Sequence, residues 1–179
     1  ADAAMQIVAE GVKAQDIAHI LIRNGPAEWP FLSNPIAQKR RPTTTVEAQF
    51  SIPWVVATAL NDGKVGIAHF TPAALQRADL QAMVARVDTM QDDSLAHPHG
   101  GPGQAIVEVT TRDGRVWRKH VTAAKGDPQA PMGDAEVAQK FADCLDYAGF
   151  SSARARTLQK LLADVPALDK ITRLSAAMA

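Results

Sequence analysis

A chain of 179 residues has room for one substantial core or for a compact domain with a helical appendage, and not for two full-sized domains. Hydrophobic residues make up 46% and charged residues 21%, ordinary globular usage that excludes a disordered or fibrous class. Nineteen basic residues balance nineteen acidic ones, so no net field is available to hold a phosphate backbone, and no nucleic-acid partner is expected.

The first ten residues read as helix from Ala1 onward with no upstream N-cap, so the chain is expected to begin inside an element of a longer protein, and the helix ends near Gly11. Asp16 to Arg23 is rich in Ile and stops at Asn24-Gly25-Pro26, the pattern of a strand followed by a turn. Pro26, Pro30, Pro35 and Pro42 then exclude a long helix or a central strand, leaving a long loop that is expected to line a cleft, with one short helical turn after Asn34-Pro35. Within it, Lys39-Arg40-Arg41 has no aromatic interleaving and reads as a solvated basic run.

Thr44 and Glu47 have capping-box spacing, and Phe50 to Leu60 is apolar nearly all round, which predicts a buried helix that tolerates Pro53 in its first turn and closes at Asn61-Asp62-Gly63. Thr71-Pro72 opens a short helix, Asp79 to Ala85 forms another, and Val87 to Met90 returns as a strand. Two alternating runs, Ala105 to Thr111 and Arg115 to Val121, flank an Asp113-Gly114 turn and predict a β-hairpin. Val107 and Val109 share one face of the first strand, and Trp117 and Val121 share one face of the second. Beyond Pro131, Val137, Phe141 and Leu145 fall at helical spacing; a second helix carries Leu158, Leu161, Leu162 and Val165, and after Pro166 a last one carries Leu168, Ile171 and Leu174. The fold class is therefore α+β: a small antiparallel sheet packed against helices, followed by C-terminal helices, with a boundary expected between 1–132 and 133–179.

Cys144 is alone and no Cys/His spacing matches a zinc site, so no oxidising compartment is required and a cytoplasmic location is expected. No run of about 18 apolar residues suggests a membrane span. His97-Pro98-His99 supplies at most two metal ligands, and no metal site is expected. Lys125-Gly126-Asp127-Pro128 lacks the glycines of a phosphate loop and reads as a turn. Ser51 sits where a helix cap is needed, and His19, His69 and His120 lie in apolar or alternating stretches where an imidazole is usually structural. The residues alone thus describe an α+β domain without a self-sufficient active site.

Several blocks, in order, resemble the C-terminal region of the MmgE/PrpD family, which includes 2-methylcitrate dehydratases, cis-aconitate decarboxylases and iminodisuccinate epimerases. They are Ala48-Gln49-Phe50-Ser51-Ile52-Pro53-Trp54 running into Ala57 to Gly63, then Val65 to Thr71, the hairpin around Arg112-Asp113-Gly114, and Lys125-Gly126-Asp127-Pro128 followed by Pro131, Glu136, Lys140 and Phe141. The resemblance implies a protein of two parts, a large helical domain and a smaller α+β domain, with an acidic substrate between them. Most catalytic groups would then lie in the helical part, upstream of Ala1, and segment 133–179 would return to that part. It also implies a homodimer and a cofactor-independent reaction on a small di- or tricarboxylic acid, by proton abstraction beside a carboxylate. Under that implication Gln49, Ser51, Lys125 and Asp127 are the candidates for the substrate cleft, since they lie at polar junctions within the matching blocks. A non-catalytic binding or oligomerisation module of the same fold is the alternative.

Overall fold

The computed structural model describes residues 1–96 and 104–178, which divide into two compact units, Ala1–Ala130 and Pro131–Ala179. The first unit is built on a four-stranded sheet of β1 (Ile17–Asn24), β2 (Val87–Gln91), β3 (Ala105–Thr111) and β4 (Val116–Val121), in the order β2-β1-β3-β4. β3 pairs antiparallel with β1 and with β4, confirming the hairpin, whereas β2 runs parallel to β1 with Ile20 opposite Val87. The sheet is thus mixed, and the expectation of a purely antiparallel one is corrected. The reason is topological: β1 and β2 are joined by a long helical connection and not by a tight turn, and such a crossover can bring the chain back in the same direction. Side-chain alternation tells which residues share a face, but not which way a neighbouring strand runs.

Pairing places Ile20 and Ile22 between Val87 on one side and Val109 and Val107 on the other, so one face of the sheet is continuously apolar. Trp117 and Val121 extend it from β4, opposite Val109 and Ala105. Three helices cover this face. Ala3, Ala4 and Ile7 come from α1 (Asp2–Ala9), and the connection between β1 and β2 contributes the rest. That connection runs through α2 (Trp29–Leu32), α3 (Ile36–Lys39), α4 (Thr45–Gln49), α5 (Ile52–Asp62), α6 (Pro72–Leu75) and α7 (Ala78–Val84). α5 brings Trp54, Val56, Ala57 and Leu60 into the core, and α7 brings Leu80, Met83 and Val84.

The predicted buried helix begins at Ile52, behind the Ser51 cap that the sequence suggested, and a separate short helix precedes it. α4 ends at Gln49 and α5 begins at Ile52, because Ser51 adopts an extended backbone and serves as a new N-cap. Thr44 and Glu47 form the expected capping box at the start of α4. Gly63, with φ of 69°, closes α5 in the left-handed region, a conformation that penalises any residue with a Cβ. Thr71 caps α6 ahead of Pro72, also as read from the sequence.

The second unit consists of α8 (Asp134–Tyr147), α9 (Ser152–Ala163) and α10 (Thr172–Met178). α10 starts later than the sequence suggested, since Val165–Ala167 forms a separate 3-10 turn and Leu168 lies outside any α-helix. Among the described residues of this unit only Ala155 and Leu158 are buried, while Val137, Tyr147, Leu162, Val165, Ile171 and Met178 are exposed. Its helices are joined partly by polar links: Gln159 Nε2 donates to the Ala138 carbonyl at 2.7 Å and Arg154 Nε to the Ala177 carbonyl at 2.8 Å. No helix among the described residues is long and apolar enough to cross a membrane.

Candidate functional site

The break between α4 and α5 organises the polar corner of the first unit. Ser51 is fully buried; its hydroxyl donates to the Lys39 carbonyl at 2.5 Å and accepts from the Trp54 amide at 3.0 Å. One oxygen thereby caps α5 and ties it to the end of α3. The Lys39 ammonium reaches back to the Phe50 carbonyl at 2.9 Å, so each side of the corner holds the other. Arg40 crosses to β2, where its Nε donates to the Val87 carbonyl at 2.7 Å and its Nη2 pairs with Asp88. His19 Nε2 meets the other Asp88 oxygen at 2.9 Å, and His19 first, then Arg40, hold that carboxyl below the usual range. The basic run is therefore no freely solvated loop. Lys39 and Arg40 are half-buried and anchored, and only Arg41 is exposed.

Beyond this corner lies a cleft of about 590 Å³, lined by Arg40, Arg41, Pro42 and Thr43, by the edge of the buried Trp54, and by Leu75, Gln76, Gln81 and Ala85. Its volume is in the range of small-molecule sites, roughly 300–1,000 Å³. The lining carries two guanidinium groups and no carboxylate. Trp54 is pinned by its indole N–H, which donates to the His69 carbonyl at 3.1 Å, and Gln81 is pinned by a 2.8 Å bond to the Leu75 carbonyl. Glu47 is not in the lining but is bonded to it: its carboxylate accepts from the backbone N–H and the hydroxyl of Thr43, which hold its pKa down.

Behind the cleft, His69 is buried and structural, as its apolar context suggested. Its Nδ1 accepts from the Gly66 amide at 2.9 Å, which leaves the proton on Nε2 to reach Asp62 at 3.1 Å. Asp62 also receives both terminal nitrogens of Arg77, at 2.6 and 2.9 Å, and Arg77 donates in turn to Asp79. The Arg77 hydrogen bonds are the main reason that Asp62 is held below the normal carboxylate range and Asp79 is lowered to about 2. This network ties α5 to α7 and leaves no basic nitrogen of His69 open to a ligand.

The four residues proposed from sequence fall into two groups. Gln49 is exposed at the end of α4, next to the buried Ser51. Lys125 and Asp127 lie in a turn after β4, where the Lys125 amide donates to the Asp2 carboxylate at 2.7 Å and Asp127 accepts from the Gln129 amide at 2.8 Å. Sequence reading passed over Arg41, Gln76 and Gln81. The basic run was visible, but nothing in it distinguishes an anchored arginine from an open one, and the two glutamines, Gln76 just after α6 and Gln81 in α7, belong to no motif. A second cleft of about 370 Å³, at the hairpin turn, has Arg112 donating to the Gln15 carbonyl and Arg115 paired with Asp113 at 3.4 Å. The His97-Pro98-His99 segment lies outside the described residues, and among the described residues no group of three or more His, Cys, Asp or Glu is placed to hold a metal ion.

No curated protein shows significant similarity to the chain. The sequence profile of the MmgE/PrpD C-terminal domain, however, matches residues 1–164, from α1 through the end of α9 and across every block on which the resemblance rests. With nearly the whole length covered, the chain belongs to the MmgE/PrpD C-terminal domain family.

Proposed function

We propose that this chain is the C-terminal portion of a cofactor-independent lyase or isomerase of the 2-methylcitrate dehydratase type, acting on a small di- or tricarboxylic acid. The observation that carries this reading, given the family, is the cleft beside α5, whose lining carries two arginines and two amides, and no carboxylate that would repel an acidic substrate. Such a lining holds an anion without supplying a base. Proton abstraction beside the substrate carboxylate is therefore assigned to a helical domain elsewhere in the enzyme, and this portion forms a wall of the site. None of the four sequence candidates lines this cleft: Gln49, Lys125 and Asp127 lie outside its lining, and Ser51 serves it by fixing the start of α5. The working unit is a cytoplasmic homodimer.

Turnover assays with 2-methylcitrate, cis-aconitate and iminodisuccinate test the proposal. The complete gene product is expected to convert one of these acids or a close relative, and the 179-residue chain none of them. Conversion by the chain alone would refute the division of labour, and inertness of the complete product towards all small polycarboxylates would refute the reaction class.

A further inference from the structure

We infer that Arg41 is the specificity-determining cation of this site, pairing with a carboxylate of the bound acid, while its neighbours Lys39 and Arg40 hold the wall in place. This rests on the reading above that the ligand is a small polycarboxylate.

Three consecutive cations enter the corner, and the structure treats each differently. Lys39 donates to the Phe50 carbonyl and lies close enough to Glu47 to help hold its carboxyl down. Arg40 is half-buried, with Nε on the Val87 carbonyl and Nη2 on Asp88. Both charges are met by protein groups. Arg41 lies in the cleft lining, and among the described residues its guanidinium has neither a carboxylate within ion-pair distance nor a side-chain hydrogen bond. The acids nearest in the fold are committed elsewhere, Glu47 to Thr43 and Asp88 to Arg40 and His19. The open cation of the cleft is therefore Arg41.

A guanidinium presents two parallel N–H donors that match a carboxylate, so it selects for a planar, doubly accepting group and not simply for negative charge. Gln76 lies in the same lining and adds amide capacity for a second oxygen-bearing group. Together they fit one carboxylate at Arg41, a second polar group at Gln76, and further polar groups directed away from this wall.

The test uses propane-1,2,3-tricarboxylate, a non-reacting acid, titrated into the 179-residue chain with detection of arginine side-chain N–H resonances. Saturable shifts are expected at the Arg41 Nε–H. Arg41→Gln is expected to weaken binding about tenfold or more, Arg41→Lys less so, and both should keep the thermal midpoint of the parent. Arg115→Gln removes the same charge at the hairpin turn and is expected to leave affinity unchanged, which separates a local contact from bulk charge. Unchanged affinity in Arg41→Gln would overturn this inference alone and leave the substrate class standing. Absence of saturable binding by the parent chain would likewise overturn this inference, while the substrate class stands or falls on turnover by the complete gene product.

Discussion

Replacing Ser51 by Ala isolates the bond on which the α3–α5 corner depends. The hydroxyl serves two buried backbone groups, the Lys39 carbonyl and the Trp54 amide, and Ser51 and Trp54 are 0% and 1% exposed. Loss of an N-cap costs about 1 kcal/mol. Because water does not reach these positions, the stranded carbonyl adds about 1 kcal/mol more, for a total of roughly 2 kcal/mol. Thr44 caps α4 with the same chemistry but is exposed, so in Thr44→Ala water takes over and the cost stays near 0.5–1 kcal/mol. All three tryptophans, Trp29, Trp54 and Trp117, lie in the first unit, so urea unfolding followed by intrinsic fluorescence reports that unit. With a slope of about 2 kcal/mol per molar urea, Ser51→Ala is expected to lower the midpoint by about 1 M and Thr44→Ala by half of that or less. Equal shifts for the two variants would refute the claim that burial makes the Ser51 oxygen the more consequential cap.

Acid unfolding follows from the Arg77 network. Asp62 and Asp79 have lowered folded pKa values, Asp79 about 2, so their contribution is present above the ordinary carboxylate value of about 4 and is lost as pH falls towards 2. The fluorescence midpoint in urea should fall across that interval, and Arg77→Gln should flatten the fall; a parallel curve for the variant would count against the network. Gly63→Ala is expected to destabilise the first unit by about 1 kcal/mol through backbone strain alone, since the nearest atom to an added Cβ is Val8 Cγ1 at 3.8 Å. An unchanged urea midpoint would show that the end of α5 relaxes freely. Leu158→Ala truncates one of the two buried side chains among the described residues of the second unit and is expected to cost about 2–5 kcal/mol. Hydrogen exchange of amides in α8–α10 should then approach unprotected rates, and retained protection would show that Leu158 is no keystone.

Elements announced by local chemistry were legible in the sequence. The Asp113-Gly114 turn, the Thr44/Glu47 box, the Thr71-Pro72 start and the Asn61-Asp62-Gly63 stop each rest on bonds between neighbours in the chain. Features that depend on distant partners were not. The direction of β2 is set by where the crossover returns it, and although Ser51 was legible as a cap, its second bond goes to a carbonyl twelve residues away. The contrast between Arg40 and Arg41 follows from Asp88 on β2, which no local pattern connects to either arginine. Family resemblance was legible because whole blocks keep their order, yet it identified segments and not the side chains that face a ligand.

The position of β1 carries a consequence for how the molecule assembles. It is an inner strand, yet its parallel neighbour begins only at Val87 and its antiparallel neighbour only at Ala105. Until both arrive, an isoleucine-rich ribbon has two open edges, the geometry that recruits strands from other molecules. The entropy of closing such long loops must be met before any pairing compensates it, which slows the search, whereas the β3–β4 ribbon forms locally. The hazardous interval in the life of this polypeptide is therefore the time before β1 is enclosed, and crowding of nascent chains during synthesis would extend the risk.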